Sequence, residues 1–381
     1  MVNPPPISRR SLLLAPAGIL ACGRRKATGL RAFCFVANQE SHSVAVVDLA
    51  RFRVRKQIPL DAAPAAVLTH SRRGKAFVLA PEAGTVYEID VSSLAVTRRA
   101  RAGNQAAGMQ MSPKNDALWL LYRDPASLVE LPLDTLRPNR RIRLAAPAGN
   151  FDLSRDNQAA VIGAPDGSIV LASLSRGAID RTIVAGAEPT LVRYRWDGKH
   201  LLVGSRSDRS VTIFDVPTGR VVVRLPLPLE PRNFCLSSDN GQLFVSGDGM
   251  DAVVIIFPSS TEVDQTILAG HTPDAMAVTS KNPLYLLVAN PGSNSVTVLD
   301  IETRKLVAVV QVGQQPRFIL MTPDDEYALV LNQESGDLAM IRTLSLSVAP
   351  DGSTRRFKSA PLFTLIPVGE KPVSAAVLEI A

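Results

Sequence analysis

The chain has 381 residues, with 42 Lys and Arg against 35 Asp and Glu and a formal net charge of +7. Basic residues are dispersed among acidic ones and aromatics make up only 5%, which argues against a nucleic-acid surface. Four histidines and three cysteines leave little material for a metal site built on several imidazoles or thiolates, so no metal site is expected.

In chain order, the first thirty residues differ from all that follows. Ser8-Arg9-Arg10-Ser11-Leu12-Leu13-Leu14 resembles a twin-arginine export signal. The apolar stretch from Leu12 to Ala21 is too short to span a bilayer as a mature helix. It ends in Ile19-Leu20-Ala21-Cys22-Gly23, which resembles a lipobox and implies cleavage before Cys22 and lipidation of that residue. The alternative is a plain cleaved signal in which Cys22 is incidental. Residues 1–21 are therefore expected to be a signal peptide and residues 22–31 a tether. Arg24, Arg25 and Lys26 in that tether carry charge suited to anionic headgroups. The expected location is exported, in the periplasm or cell envelope, with a membrane anchor.

From Ala32 onward one unit is repeated. Its openings fall at Ala32, Ala76, Ala117, Ala159, Leu201, Leu243, Leu284 and Tyr327, spaced 41 to 44 residues apart. Each unit reads as a short apolar run, a polar turn, a V-x-V-x-D-like run, a third run ending in Gly or Pro and a fourth ending in a polar turn. Four strands at that period predict an all-β fold, a β-propeller of four-stranded blades stacked around an axis. Val44 and Val46 fall on one side of a strand and Ala45 and Val47 on the other, as expected of sheets covered on both faces. Residues 32–381 are expected to be a single domain.

Unit seven is the cleanest copy, with Val288-Ala289-Asn290, Ser295-Val296, Asp300, Gly313, Pro316 and Thr322-Pro323-Asp324. These residues resemble the YVTN family of propeller repeats. The resemblance implies that the strand after each Gly-x-x-Pro turn is innermost, so the chain enters at the second strand of a blade. The C-terminal run Val373 to Ile380 is then expected to complete that blade and close the ring. Complete units count eight blades; seven, commoner in the family, is the alternative. Units two to four are degenerate, with Tyr122-Arg123-Asp124 standing where V-A-N is expected. Thr343 to Pro361 reads as a flexible surface loop. Cys34 and Cys235 fall in separated blades and read as free buried thiols.

The chain contains no C-x-x-C-H, H-E-x-x-H, G-x-S-x-G or Walker glycine loop, so no cofactor and no catalytic set are expected. The remaining binding place is the channel mouth. Loops after V-A-N bring Asn38, His42, Arg123, Arg206, Asp208, Asp248, Asn290 and Asn332; loops before the inner strands bring Glu188, Asp274, Glu370 and Lys371. The ligand-binding candidates are Arg232, Arg317, His271, Glu230, Asn233 and His42. Guanidinium forks at Arg232 and Arg317 suit a carboxylate or phosphate. The bland readings are that the three asparagines cap turns, that Arg232 pairs with Glu230 or Glu188, and that His70 and His200 are structural.

The function expected is a non-enzymatic scaffold that binds a protein partner or a small anionic ligand. Two resemblances supply rivals. Similarity to propeller lactonases casts Glu230 or Glu370 as a base, with Arg232, Arg317 and His271 around a developing oxyanion. Similarity to the haem-binding propellers of dihaem nitrite reductases and their assembly lipoproteins would need His42 or His271 as an axial ligand.

Overall fold

Strands that are apolar on both sides must lie between two other sheets, and the chain meets that demand by forming a ring. The structure is a computed structural model that describes residues 30–162, 167–346 and 360–380. Among these, 32 strands form eight four-stranded antiparallel sheets, the blades of a β-propeller. Blade one joins Ala32–Asn38, Ser43–Asp48 and Arg53–Pro59 to the C-terminal strand Pro372–Glu379, which takes the inner place. Ala32 lies opposite Glu379 and Phe33 opposite Leu378. The ends of the ring are thus sewn into one sheet. The inner strands of blades two to eight are Ala66–His70, Asn104–Met111, Asn150–Leu153, Pro189–Tyr194, Glu230–Leu236, Met276–Val278 and Pro316–Met321.

The blade count is eight, not the alternative seven, because all three degenerate units still build four strands. Their register corrects one sequence alignment. Ser43 and Ser295 lie opposite Asn38 and Asn290, and Ser127 lies opposite Tyr122. Tyr122 therefore occupies the asparagine position itself, and Leu120-Leu121-Tyr122 replaces V-A-N.

The two faces of each blade feed different interfaces. Val44 and Val46 pack with Val78 and Tyr87 of blade two, whereas Ala45 and Val47 pack with Leu329, Leu338 and Met340 of blade eight. Burial of this apolar surface is the main favourable term. It is available to a blade only when both neighbours are present.

The asparagines sit beneath the mouth rather than on it. Asn38, Asn290 and Asn332 are fully buried. The side chain of Asn290 donates to Thr297 Oγ1 at 2.9 Å and accepts from the Gly270 N–H at 3.1 Å. A Cβ on Gly270 would lie 2.6 Å from Asn290 Cγ, and Gly313 and Gly369 stand equally close to Asn332 and Asn38. Gly103 meets the Tyr122 ring in the same way. The repeat glycine is thus needed because a side chain approaches the link between blades.

The export segment with Arg9, Arg10 and Cys22, and most of the tether, lie outside the described residues, as do residues 347–359 of the long connection. Two faces of the ring can be distinguished. One carries the turns between second and third strands together with the links between blades, and is called the mouth face. The other carries the turns between inner and second strands.

Replacement of Asn290 by Leu leaves the Gly270 N–H and the Thr297 hydroxyl unpaired and should cost about 1–3 kcal/mol. Chemical denaturation of the variant against the parent measures it; a change close to zero would show that the buried asparagine does not lock the blade link.

Candidate functional site

A recurrent irregularity sets the geometry at the channel mouth. In blade six Pro231 lies opposite Gly247 and Asn233 opposite Ser246, which leaves Arg232 without a partner residue. Arg317 in blade eight and Thr190 in blade five are skipped in the same way. Such a bulge re-aims the extra side chain and bends the strand. The residue before the turn proline is also unusual in several links: Glu188, Gln315 and Lys371 have φ of 47°, 55° and 50°, though Glu230 before Pro231 does not share this. Non-glycine residues take this left-handed conformation at a cost of order 1 kcal/mol, here to turn the chain sharply into the inner strand.

The arginines engage carboxylates. Arg232 Nη2 donates to Asp248 Oδ2 at 2.6 Å, rather than to Glu230 or Glu188. Arg206 links Asp248 at 3.3 Å to Glu230 at 3.2 Å, and Arg209 reaches Glu230 at 3.1 Å. Three guanidiniums therefore share two carboxylates. The hydrogen bond from Arg206, followed by that from Arg209, holds Glu230 below its ordinary carboxylate range. Farther round the ring, Asp274 accepts from Asn233 Nδ2 at 2.6 Å and from Arg317 Nη1 at 3.1 Å, joining blades six, seven and eight. Arg193 Nη1 donates to Asp152 Oδ1 at 3.0 Å, while the Tyr194 N–H donates to Asp152 Oδ2 at 2.7 Å. Burial raises the Asp152 pKa against the opposing pull of Arg193.

In these inner-strand pairs the carboxylate is sunk into the wall and the guanidinium is presented. The Arg193 side chain is 50% exposed against 10% for Asp152, and Arg317 is 39% exposed against 16% for Asp274. Arg206 and Arg232 are likewise more exposed than Glu230 and Asp248. Arg206, Arg232 and Arg317 stand at the mouth ends of their blades, whereas Arg193 and Asp152 lie towards the other ends of their inner strands, next to the turns of the opposite face. Beside Arg317 a cavity of about 720 Å³ opens between blades eight and one, lined also by Gln315, Gln333, Glu334, Glu370 and Lys371.

The structure links Arg232 to Glu230 through Asp248 and Arg206, and Arg317 to Asn233 through Asp274. His271 is not part of either group: its Nδ1 lies 2.9 Å from Asp251. His42 is an exposed turn residue with φ 44°, whose carbonyl accepts from the Leu60 N–H. Glu370 lines the cavity, and its N–H donates to Ser41 Oγ at 3.2 Å. Among the described residues no group of three His, Cys, Asp or Glu could hold a metal ion. Cys34 in blade one and Cys235 in blade six are free, and burial pushes both thiols up to about 12. Sequence reasoning missed Arg193, Arg209 and Asp152. Arg193 lies four residues after its turn proline instead of one, and the only sequence signal is a charge inside an otherwise apolar inner strand.

Comparison with known proteins agrees with this architecture. A profile described as "Lactonase, 7-bladed beta-propeller" matches residues 258–347, from the outer strand of blade six to the end of the third strand of blade eight. The seven-bladed beta-propeller protein Rv1057 of Mycobacterium tuberculosis (strain ATCC 25618 / H37Rv) is 24% identical over 146 residues, 36% of this chain. The match spans only 37% of that relative. Among solved structures, the dihydro-heme d1 dehydrogenase NirN in complex with DHE superposes over 93% of this chain and 76% of its own, with a TM-score of 0.75 and 16% identity. Hydrazine synthase of Kuenenia stuttgartiensis superposes over 74% of this chain and 96% of its own, with a TM-score of 0.58 and 18% identity. The chain is thus a β-propeller similar in fold to lactonase-type and NirN-type propellers.

The carboxyl of Glu230 should titrate below its ordinary value of 4.5, since both guanidiniums favour its ionised form. NMR observation of that carboxyl as a function of pH measures it. Arg206→Ala with Arg209→Ala should return it towards the ordinary value; an unchanged titration would remove the network from the description of the site.

Proposed function

We propose that this chain is an exported propeller that binds an organic anion at its channel mouth and performs no covalent chemistry on it. The observation that carries this reading is the exposure of the guanidiniums of Arg206, Arg232 and Arg317 at the mouth, each tethered to a carboxylate less exposed than itself. A fork already tethered on one edge keeps its planar geometry and retains donors for a ligand carboxylate or phosphate. Ion pairs this exposed add little to stability, so the arrangement is better accounted for by what it can hold. Glu230 is engaged by the guanidiniums of Arg206 and Arg209, and His271 stands apart from it on Asp251. A hydrolytic role for that set is therefore less well supported than binding.

Within the binding reading, a carboxylate-bearing tetrapyrrole is the ligand class we favour. The support is the likeness in fold to NirN, which is described as a dihydro-heme d1 dehydrogenase in complex with DHE. The histidines offer no obvious axial ligand, so recognition would run through the carboxylate arms and the arginines. Absorption titration of the purified protein with a propionate-bearing tetrapyrrole tests this. Saturable binding is expected, and Arg232→Ala with Arg317→Ala should weaken it roughly ten- to a hundredfold, the range for charge-assisted hydrogen bonds. Binding that ignores both substitutions, or no binding of any organic anion, would overturn the assignment.

Export and anchoring belong to the same proposal and rest on Arg9-Arg10 and on the segment ending in Cys22. Arg9→Lys with Arg10→Lys should retain the protein in the cytoplasmic fraction. Cys22→Ala should abolish the added mass of a lipid and release the protein from the membrane fraction. Unaltered fractionation of both variants would remove the export reading while leaving the ligand site untouched.

A further inference from the structure

The face of the ring away from the mouth has a different character. The strand Ala32–Asn38 runs towards the mouth, so Ala32 and the preceding Leu30 and Arg31 lie on the opposite face. The Arg31 carbonyl accepts from the Ile380 N–H at 2.7 Å, which fixes the place where residues 1–29 leave the ring. Next to this exit, Thr69 Oγ1 of blade two donates to the Val377 carbonyl at 2.8 Å. Blade two's inner strand ends there, at His70, and turns through Ser71, Arg72 and Arg73.

That turn forms one wall of an open hollow of about 570 Å³, whose other wall is Lys114, Asn115 and Asp116 of blade three. His70 Nε2 lies 3.0 Å from the Asn115 carbonyl and bridges the two walls. Arg73 is paired with Asp134 at 2.6 Å. Arg72 and Lys114 are exposed, and neither has an ion-pair partner among the described residues. Asp116 accepts from Ser112 Oγ at 2.7 Å. The hollow therefore carries three cations, of which Arg73 is paired with Asp134 at its edge, and one lining carboxylate, Asp116, that accepts a hydroxyl. Across the ring on the same face, Trp196 is 56% exposed in the turn Arg195-Trp196-Asp197-Gly198-Lys199. Leu344 of blade eight is also exposed there.

We infer that this face lies against an anionic phospholipid surface, with phosphate headgroups over Arg72, Arg73 and Lys114 and the Trp196 indole at headgroup depth, so that the arginine mouth faces away from the membrane. Cations close to an anionic leaflet gain from its surface potential, and an exposed indole with an apolar body and a polar N–H suits the interface. Charge complementarity and the exit point of the chain concur. From Cys22 to Leu30 the chain can reach at most about 30 Å when fully extended, at roughly 3.3–3.6 Å per residue. An anchor at Cys22 would hold this face, and not the mouth, near the bilayer. The inference rests on the export reading only for the presence of a membrane; the lipid contact itself is tested without lipidation.

The test uses the full chain carrying Cys22→Ala, mixed with vesicles of neutral phosphatidylcholine or of phosphatidylcholine with phosphatidylglycerol, each containing brominated acyl chains. Binding to neutral vesicles reports the apolar leader; the increment on anionic vesicles reports the basic residues of the leader and tether together with the basic face, and the share removed by substitutions in the hollow belongs to that face. Quenching of tryptophan fluorescence on anionic vesicles is expected, and it should vanish in Trp196→Phe, since Trp119 is buried. Arg72→Glu, Arg73→Glu and Lys114→Glu together should weaken the anionic increment roughly tenfold or more. Arg55→Glu with Lys56→Glu, on the outer strand of blade one, should leave most of it. Equal quenching on both vesicle types, or a loss no larger for the hollow than for the rim, would overturn the inference. Circular dichroism of each variant confirms that the ring is intact. Failure here with normal fractionation of the Arg9/Arg10 and Cys22 variants would leave the protein exported but differently oriented; the converse would leave a lipid-binding face without export.

Discussion

No blade of this protein can stand alone, and that constraint governs the rest of the molecule. Each sheet is apolar on both sides and offers four strands, too little to bury either side by itself. The favourable burial term appears only when eight sheets stack and the last meets the first. A gap anywhere would expose two apolar faces and two strand edges. The chain avoids this by placing Pro372–Glu379 inside Ala32–Asn38, so closure is made by backbone hydrogen bonds as well as by side-chain packing. The residues that recur most faithfully from repeat to repeat along the chain serve this closure. Asn290 and Gly270 are the plainest case: the side chain fills the space that the missing Cβ leaves and pairs the backbone of the link.

Closure also explains how the mouth is made. A link that crosses from an outer strand to the next inner strand must turn sharply, and those entering blades five, seven, eight and one do so with a left-handed residue followed by proline. The strand that follows then carries one residue too many for its partner. In blades six and eight that extra residue is an arginine. The binding candidates are thus a by-product of ring geometry that these two blades have filled with charge. Blade five shows the same bulge with Thr190 in that place, and its arginine comes three residues later. The architecture provides the position; the individual side chain decides what the position does.

This division sets what was legible in the sequence. Period, strand number and closure follow from periodic apolar runs, and eight blades could be counted because turn signals survive where the V-A-N signature does not. Tyr122 was placed out of register because its neighbours Arg123 and Asp124 imitate a polar turn; only the pairing with Ser127 reveals it as the asparagine equivalent. Arg232 and Arg317 were visible beside their prolines. Asp248 and Asp274 were also placed at the mouth, but their pairing with these arginines was not legible, since one belongs to a different strand and the other to a different blade. Arg193 was lost for the same reason. His42 and His271 attracted attention as rare residue types, but rarity carries no geometry, and one is a turn residue while the other pairs with Asp251.

The ion pairs around the channel are the strongest argument that the mouth is more than a consequence of the fold. A structural salt bridge gains most when both partners are buried and fully hydrogen-bonded, and even then desolvation offsets much of the attraction. Here the partners are unequal: Asp152 is buried enough for its pKa to rise, while Arg193 remains half exposed. Such a pair spends desolvation on the carboxylate without burying the cation. Replacing Asp152 and Arg193 with apolar residues would serve the core at least as well. What the existing arrangement supplies is orientation. A guanidinium held on one edge by a carboxylate is restrained from swinging away, and its remaining N–H groups can engage a ligand at little further entropic cost. Arg317 on Asp274 repeats this arrangement at the mouth end of blade eight, and Arg232 and Arg206 share Asp248 at the mouth end of blade six, so the cations there come from several blades without a single motif in the sequence.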